Sequence, residues 1–290
     1  MSSLIKAENF AVVAQYADLF KQGVLITVLL SLLTVLFGFI LALVLAVMRL
    51  SDIRPFRFLG LTKEGHLREQ GFLFALSRFN PVSFIATVYV ELFRATPMIV
   101  QLWLVYYLLF DKSVIALPRM TVLGFIRVER FIPGVVALAL NSGAYLSEII
   151  RAGIQSIDGG QMEAARSLGL SQVQSMRFIV LPQAIKNTLP AIANEFVTII
   201  KESAITWTVG VQDIMSAVNA VKGATYIIIE PLLVATAMYF CLTFPTSKLI
   251  AYFEKRMSVG DKRSGTSGKR GKTHAILSEQ ERKDKGGSQG

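Results

Sequence analysis

The chain has 290 residues, 53% of them hydrophobic and 17% charged, with a formal net charge of +10 and a mean hydropathy of +0.52. Soluble chains carry about 25% charged residues, so this balance excludes an ordinary soluble domain and points to an all-α integral membrane protein. A single cysteine, Cys241, excludes an internal disulfide framework. The basic residues sit beside apolar runs and in the tail, as membrane orientation and anionic lipid require, so nucleic acid is not the expected partner.

Residues 1–22 are mixed polar and apolar and suit a short surface helix. No short signal-type apolar core with a cleavage site is visible there, so the first long apolar run is expected to remain as an anchor. That run, about 23–48, is long enough to cross a hydrocarbon core of about 30 Å. Thr27, Ser31, Thr34 and Gly38 dot it with small and hydroxyl residues that let helices approach closely. A basic connector follows, with Arg49, Arg54, Arg57, Lys63, Arg68 and Arg78. Its part from 55 to 79 reads as an insertion, and His66 within it as a solvated histidine rather than a metal ligand.

The second span is expected at about 82–110. It contains Glu91-Leu92-Phe93-Arg94-Ala95-Thr96-Pro97 followed by Gln101-Leu102-Trp103. Glu91 and Arg94 are three apart, share a helix face and can pair. Charge within a span faces protein or water, so the two serve either as a structural ion pair or as part of a solute pathway. Pro97 is expected to loosen the helix. A third span, about 131–150, ends in Glu148 with Arg151 three residues on. The fourth, about 188–206, is less apolar, with Asn194, Glu195, Lys201 and Glu202. The fifth, about 226–249, is expected to be interrupted by Pro245. Residues 251–290 are basic and, beyond Arg256, rich in Gly, Ser, Lys and Arg, which reads as a disordered tail.

Between spans three and four lies a polar loop, Asp158 to Pro182. It predicts two short helices. One covers Gln161–Leu168, with Glu163 in its first turn and Gly169 ending it in a left-handed conformation. The other opens on a Ser171/Gln174 capping-box pattern and runs to Pro182. Ala164 and Ala165 give the first helix a smooth face that a soluble partner could grip.

Glu163-Ala164-Ala165, Gly169 and Ile179-x-Leu181-Pro182 resemble the EAA loop of ABC importer permeases. The flanking Asn141-Ser142-Gly143-Ala144-Tyr145, Glu148, Arg151-Ala152-Gly153-Ile154 and Gly160-Gln161 resemble the polar amino-acid (histidine, glutamine, opine) subfamily in particular. The resemblance implies a type I importer permease fold with about five transmembrane helices over residues 23–250. It also implies an ATPase-coupling role for Glu163, Ala164, Ala165, Gly169, Leu181 and Pro182. Candidate pathway residues are Glu91, Arg94, Asn141, Glu195, Lys201 and Glu202. The family usually has Lys-Asp followed by two hydroxyl residues where this chain has Lys201-Glu202-Ser203-Ala204, so roles do not transfer in detail there. The implied partners are an ATP-binding subunit, which would hold ATP and Mg, an extracytoplasmic solute-binding protein, and a second permease copy or homologue.

Counting Lys and Arg on the two sides puts the connector, the EAA loop and the C-terminus in the cytoplasm and the N-terminus outside an inner membrane. No Walker A loop is present: Gly265 and Gly271 in the tail have five residues between them where four are needed. No H-E-x-x-H, C-x-x-C or G-x-S-x-G motif appears either, so neither an enzyme activity nor a bound cofactor or metal is expected of this chain. The expected function is the pore subunit of an amino-acid importer. The alternatives are an importer permease for another small solute, such as an opine or oxyanion, and an ATP-independent carrier or channel.

Overall fold

The computed structural model describes residues 5–55, 76–111 and 113–256. Most of the expected 55–79 insertion, and the whole tail beyond Arg256, lie outside the described residues. Of those described, the residues up to Pro245 form one compact unit, and Thr246–Arg256 belong to a second.

Helix α1 (Ala7–Ala14) precedes α2 (Ala17–Leu50), a 34-residue rod that begins six residues earlier than the apolar run suggested. At 1.5 Å per residue it is about 50 Å long, enough to span with a turn or more to spare at each end. Helix α3 (Pro81–Ala95) and α4 (Met98–Leu104) form one expected span broken at Pro97, where the chain bends by 114°. Asn80 caps α3 by accepting from the Ser83 amide. A π-helical turn, Val105–Leu109, continues α4. A small antiparallel hairpin, β1 (Thr121–Val122) and β2 (Ile126–Arg127), then leads into α5 (Val128–Gln155).

Helices α6 (Gly159–Ser167) and α7 (Gln172–Ser175) make the polar loop. Helix α8 (Leu181–Glu202) ends in a 3₁₀ segment, Ser203–Val209, and α9 (Ile214–Thr225) precedes the last helix, α10 (Ile229–Arg256). By length and composition α2, α5 and α10 can each cross a membrane, and the broken α3–α4 pair makes a fourth candidate. Helix α8, the expected fourth span, is about 33 Å long by the same rise, but Lys186, Glu195, Lys201 and Glu202 make it too polar to pass on composition. Helix α10 runs through Pro245 without the expected interruption.

Helix α2 packs along α5, and this contact is the spine of the molecule. Small residues make it close. A Cβ on Gly38 would stand 3.1 Å from Ser142 Cβ, and one on Gly143 would stand 2.8 Å from Leu41. With lipid on the outside there is little hydrophobic drive between helices, and close van der Waals approach takes its place. The central core collects Ile26 and Leu30 of α2, Leu102 and Val105 of the broken pair, and Phe131, Val135 and Leu138 of α5.

Candidate coupling loop and polar sites

The polar loop is held by local capping. Asp158 Oδ1 accepts from the Gly160 amide at 2.8 Å and starts α6 at Gly159, two residues before the expected start. Glu163 therefore lies in the second turn, past the reach of an N-terminal dipole interaction. Gly169 adopts φ +88°, the left-handed geometry expected of it, and a Cβ there would meet nothing within 4 Å. The Gly169 and Leu170 amides close the helix end on the carbonyls of Arg166 and Ala165. Ser171 and Gln174 form the complete capping box: Ser171 N donates to Gln174 Oε1 at 2.8 Å and Gln174 N to Ser171 Oγ at 3.3 Å.

Two expectations for this loop need correction. Ala165 is buried at 4% exposure, so of the Glu163-Ala164-Ala165 triplet Glu163 and Ala164 alone face outward. Pro182 does not end the second helix. The chain passes from α7 through a π-helical turn, Met176–Val180, straight into α8, with Pro182 at its start. A proline is tolerated in the first turn because its missing N–H has no required partner there. Leu181 and Pro182 are exposed. The large apolar side chains of the loop that stand out furthest are Leu168 (85% exposed), Val173 (75%) and Phe178 (60%). They were legible only as apolar residues in a polar loop that no amphipathic stripe uses.

Both ends of the loop are tied together. A Cβ on Gly153 of α5 would fall inside the van der Waals radius of Thr188 on α8, so the helices touch there through glycine. Nearby, Asn187 Nδ2 donates to Ser156 Oγ at 3.1 Å.

Above the loop, Glu148 gathers three arginines. Arg49, at the end of α2, donates to Glu148 Oε2 at 2.7 Å. Arg151, one turn on along α5, grips both oxygens of the same carboxylate. Arg94 of α3 approaches Glu148 Oε2 only to 3.9 Å and lies over the Tyr145 ring at 5.8 Å. The expected Glu91–Arg94 ion pair is absent among the described residues: Arg94 leans toward α5 instead, and Glu91 lies exposed within electrostatic reach of Arg151. Neither Arg49 nor Tyr145 was singled out from sequence as part of a site.

The break at Pro97 is sealed from inside. Gln101 Nε2 lies 2.7 Å from Phe93 O, 2.9 Å from Thr96 O and 2.8 Å from Thr96 Oγ1. Gln101 Oε1 accepts from Asn141 Nδ2 at 2.8 Å. Gln101 is 5% exposed and Asn141 6%. The Asn141 amide, a candidate for the pathway, is thus spent on holding the bend. Gln101, a lone amide in an apolar run, was the signal for such a seal.

Of the remaining candidates, Glu195 is half-buried on α8, while Lys201 and Glu202 are exposed at its end with no ion pair within 4.0 Å among the described residues. No three His, Cys, Asp or Glu side chains among the described residues converge as metal ligands.

Comparison with known proteins agrees with this architecture. Residues 70–259 match the family described as binding-protein-dependent transport system inner membrane component. The arginine transport system permease protein ArtQ of Bacillus subtilis (strain 168) is 36% identical over 240 residues, 83% of this chain and 93% of the relative. A putative glutamine transport system permease protein, GlnP of Rickettsia conorii, is 34% identical over 82% of this chain and 92% of its own length. The nopaline transport system permease protein NocM of Agrobacterium fabrum is 38% identical over 70% of this chain and 84% of its own. Among solved structures, a chain of an amino acid ABC transporter crystallised with histidines superposes with a TM-score of 0.69 at 37% identity, covering 85% of this chain and 98% of that one. The chain therefore belongs to the binding-protein-dependent transport system inner membrane components, and is a type I permease subunit of an ABC importer.

Proposed function

We propose that this permease moves polar amino acids across the cytoplasmic membrane, driven by a separate ATP-binding subunit that grips the loop from Asp158 to Val180. The observation that carries the coupling half is the loop itself: a rigidly capped polar segment that presents Leu168, Val173 and Phe178 to solvent. Exposed apolar side chains on a surface otherwise built of polar groups suit a protein partner. Amino-acid cargo is supported by the relatives and the solved neighbour, whose names specify arginine, glutamine, nopaline and histidine.

On this reading ATP and Mg are held by the partner and this chain hydrolyses nothing. A solute-binding protein delivers the cargo from outside, and a second permease copy or homologue completes the path. The excess of Lys and Arg on the connector and loop side supports a cytoplasmic position for that side, with the N-terminus outside. A cysteine introduced at Ser171 then reacts in intact cells only with membrane-permeant thiol reagents. The decisive test is co-purification of the ATPase with the parent and with Gly169→Asp, together with amino-acid uptake normalised to permease in the membrane. Loss of both in the variant, with normal insertion, supports the reading; an unchanged variant overturns it.

A further inference from the structure

The Glu148 cluster carries more positive charge than it needs. Arg49 and Arg151 already hydrogen-bond both oxygens of Glu148, and Arg94 stands back at 3.9 Å from Oε2, beyond hydrogen-bond distance. Three guanidiniums meet two carboxylates, Glu148 and Glu91, so one positive charge is uncompensated among the described residues. Arg94 is the guanidinium left in surplus. Its side chain is 37% exposed, and the Tyr145 ring holds it in place without using its donors. Glu91 stands one turn earlier on the same helix, exposed and unpaired within 4.0 Å among the described residues. A charged pair on a membrane helix faces water or protein rather than lipid tails.

We propose that Arg94 and Glu91 form a docking station for the zwitterionic head of an α-amino acid, Arg94 receiving the carboxylate and Glu91 the ammonium. Residues three apart on a helix place their Cβ atoms about 5–6 Å from each other, a span that the two ends of such a head can bridge. A planar guanidinium with free donors binds a carboxylate through two parallel hydrogen bonds. Glu148 keeps Arg94 oriented without neutralising it. The proposal rests on the reading of the cargo as an amino acid and adds the residues that recognise its common part, leaving the side chain to be read elsewhere.

The test uses the purified permease–ATPase complex without any solute-binding protein, so that only the membrane subunit selects. Equilibrium binding is measured for L-arginine and L-glutamine and for their decarboxylated counterparts, agmatine and 4-aminobutanamide. In the parent, each amino acid binds at least about tenfold tighter than its amine, the scale of one lost charged contact. Arg94→Gln brings each amino acid down to the affinity of its amine, and Arg94→Lys restores part of the difference. Glu91→Gln weakens amino acid and amine alike. Equal binding of acid and amine in the parent, or full discrimination retained by Arg94→Gln, overturns the proposal. The parent also gives a reading independent of any variant: methyl esters of the two amino acids bind at least about tenfold more weakly than the free acids, and equal binding again overturns it. ATPase co-purification is scored on the same samples. Failure of the coupling reading appears there and leaves the ratio of acid to amine untouched.

Discussion

The break at Pro97 and the loop at Asp158–Val180 are both interruptions of helix, and they are repaired in opposite ways. At Pro97 the freed carbonyls of Phe93 and Thr96 are met by the buried amide of Gln101, itself held by Asn141 from another helix. In the loop, repair is local: Asp158, Gly169, Ser171 and Gln174 satisfy neighbours within three residues. Inside a membrane no water takes over an abandoned carbonyl, so a distant side chain must. At a surface, short-range caps suffice, and the apolar side chains of the loop remain available. Interruptions of the first kind are bound into the fold; those of the second kind can be altered without disturbing it.

The sharpest way to break this contrast is Gln101→Leu. It strands the Thr96 carbonyl and leaves the Phe93 carbonyl and the Asn141 amide only a long 3.4 Å bond to each other, and at about 1–3 kcal/mol for a stranded group the loss is about 2–3 kcal/mol. The thermal midpoint in detergent should fall by several degrees; a fall of no more than a degree refutes the seal. Next in size is Gly169→Asp. Forcing a side chain into the left-handed conformation costs about 1–2 kcal/mol, confined to the end of α6. The expected outcome is loss of ATPase co-purification with a thermal midpoint near that of the parent. Leu168→Asp should act likewise without the backbone cost, whereas Ala165→Asp buries a charge and should lower folded yield as well.

Asp213 sharpens the comparison from a third side, because its burial is incompletely repaired. Its Oδ1 caps α9 by accepting from the Ser216 amide at 2.8 Å, while Oδ2 is buried with no partner among the described residues. Burial pushes its carboxyl up to about 8. The folded state then holds a proton that the unfolded chain releases near pH 4, so stability is greatest below that value and is lost as pH rises toward 8. Asp213→Asn should flatten that decline between pH 5 and 8, measured as thermal midpoint against pH. An equal slope in both proteins would show that the carboxyl ionises freely. The smallest effect expected is from Ser171→Ala, about 1 kcal/mol of capping, visible as faster amide hydrogen exchange at Gln172–Ser175 with transport close to normal.

The sequence shows most clearly what is local. Gly169, the Ser171/Gln174 box and the long apolar rods are visible because their causes lie within a few residues of one another. What it hides is decided between helices. The spacing of Glu91 and Arg94 suggests a pair, yet Glu148, 54 positions beyond Arg94, draws the guanidinium away. Asn141 reads as a pathway residue until Gln101 is seen to use its amide. Ala165 looks like surface until α6 folds back on the π-helical turn and covers it. Pro182 signals a stop, but falling in the first turn of α8 it lets the helix pass.

That passage through Pro182 has a mechanical meaning. From Gln172 to Glu202 the backbone is helical throughout, 31 residues and about 45 Å by helical rise, with a π-helical turn at Met176–Val180 and Pro190 inside α8. It works as a crank: one throw lies in the surface loop beside Val173, and the far journal carries Lys201 and Glu202. Near the loop this shaft bears on α5 through Gly153 against Thr188 and the Asn187–Ser156 bond, and a bulkier residue at Gly153 would push the two helices apart while leaving both ends of the shaft intact.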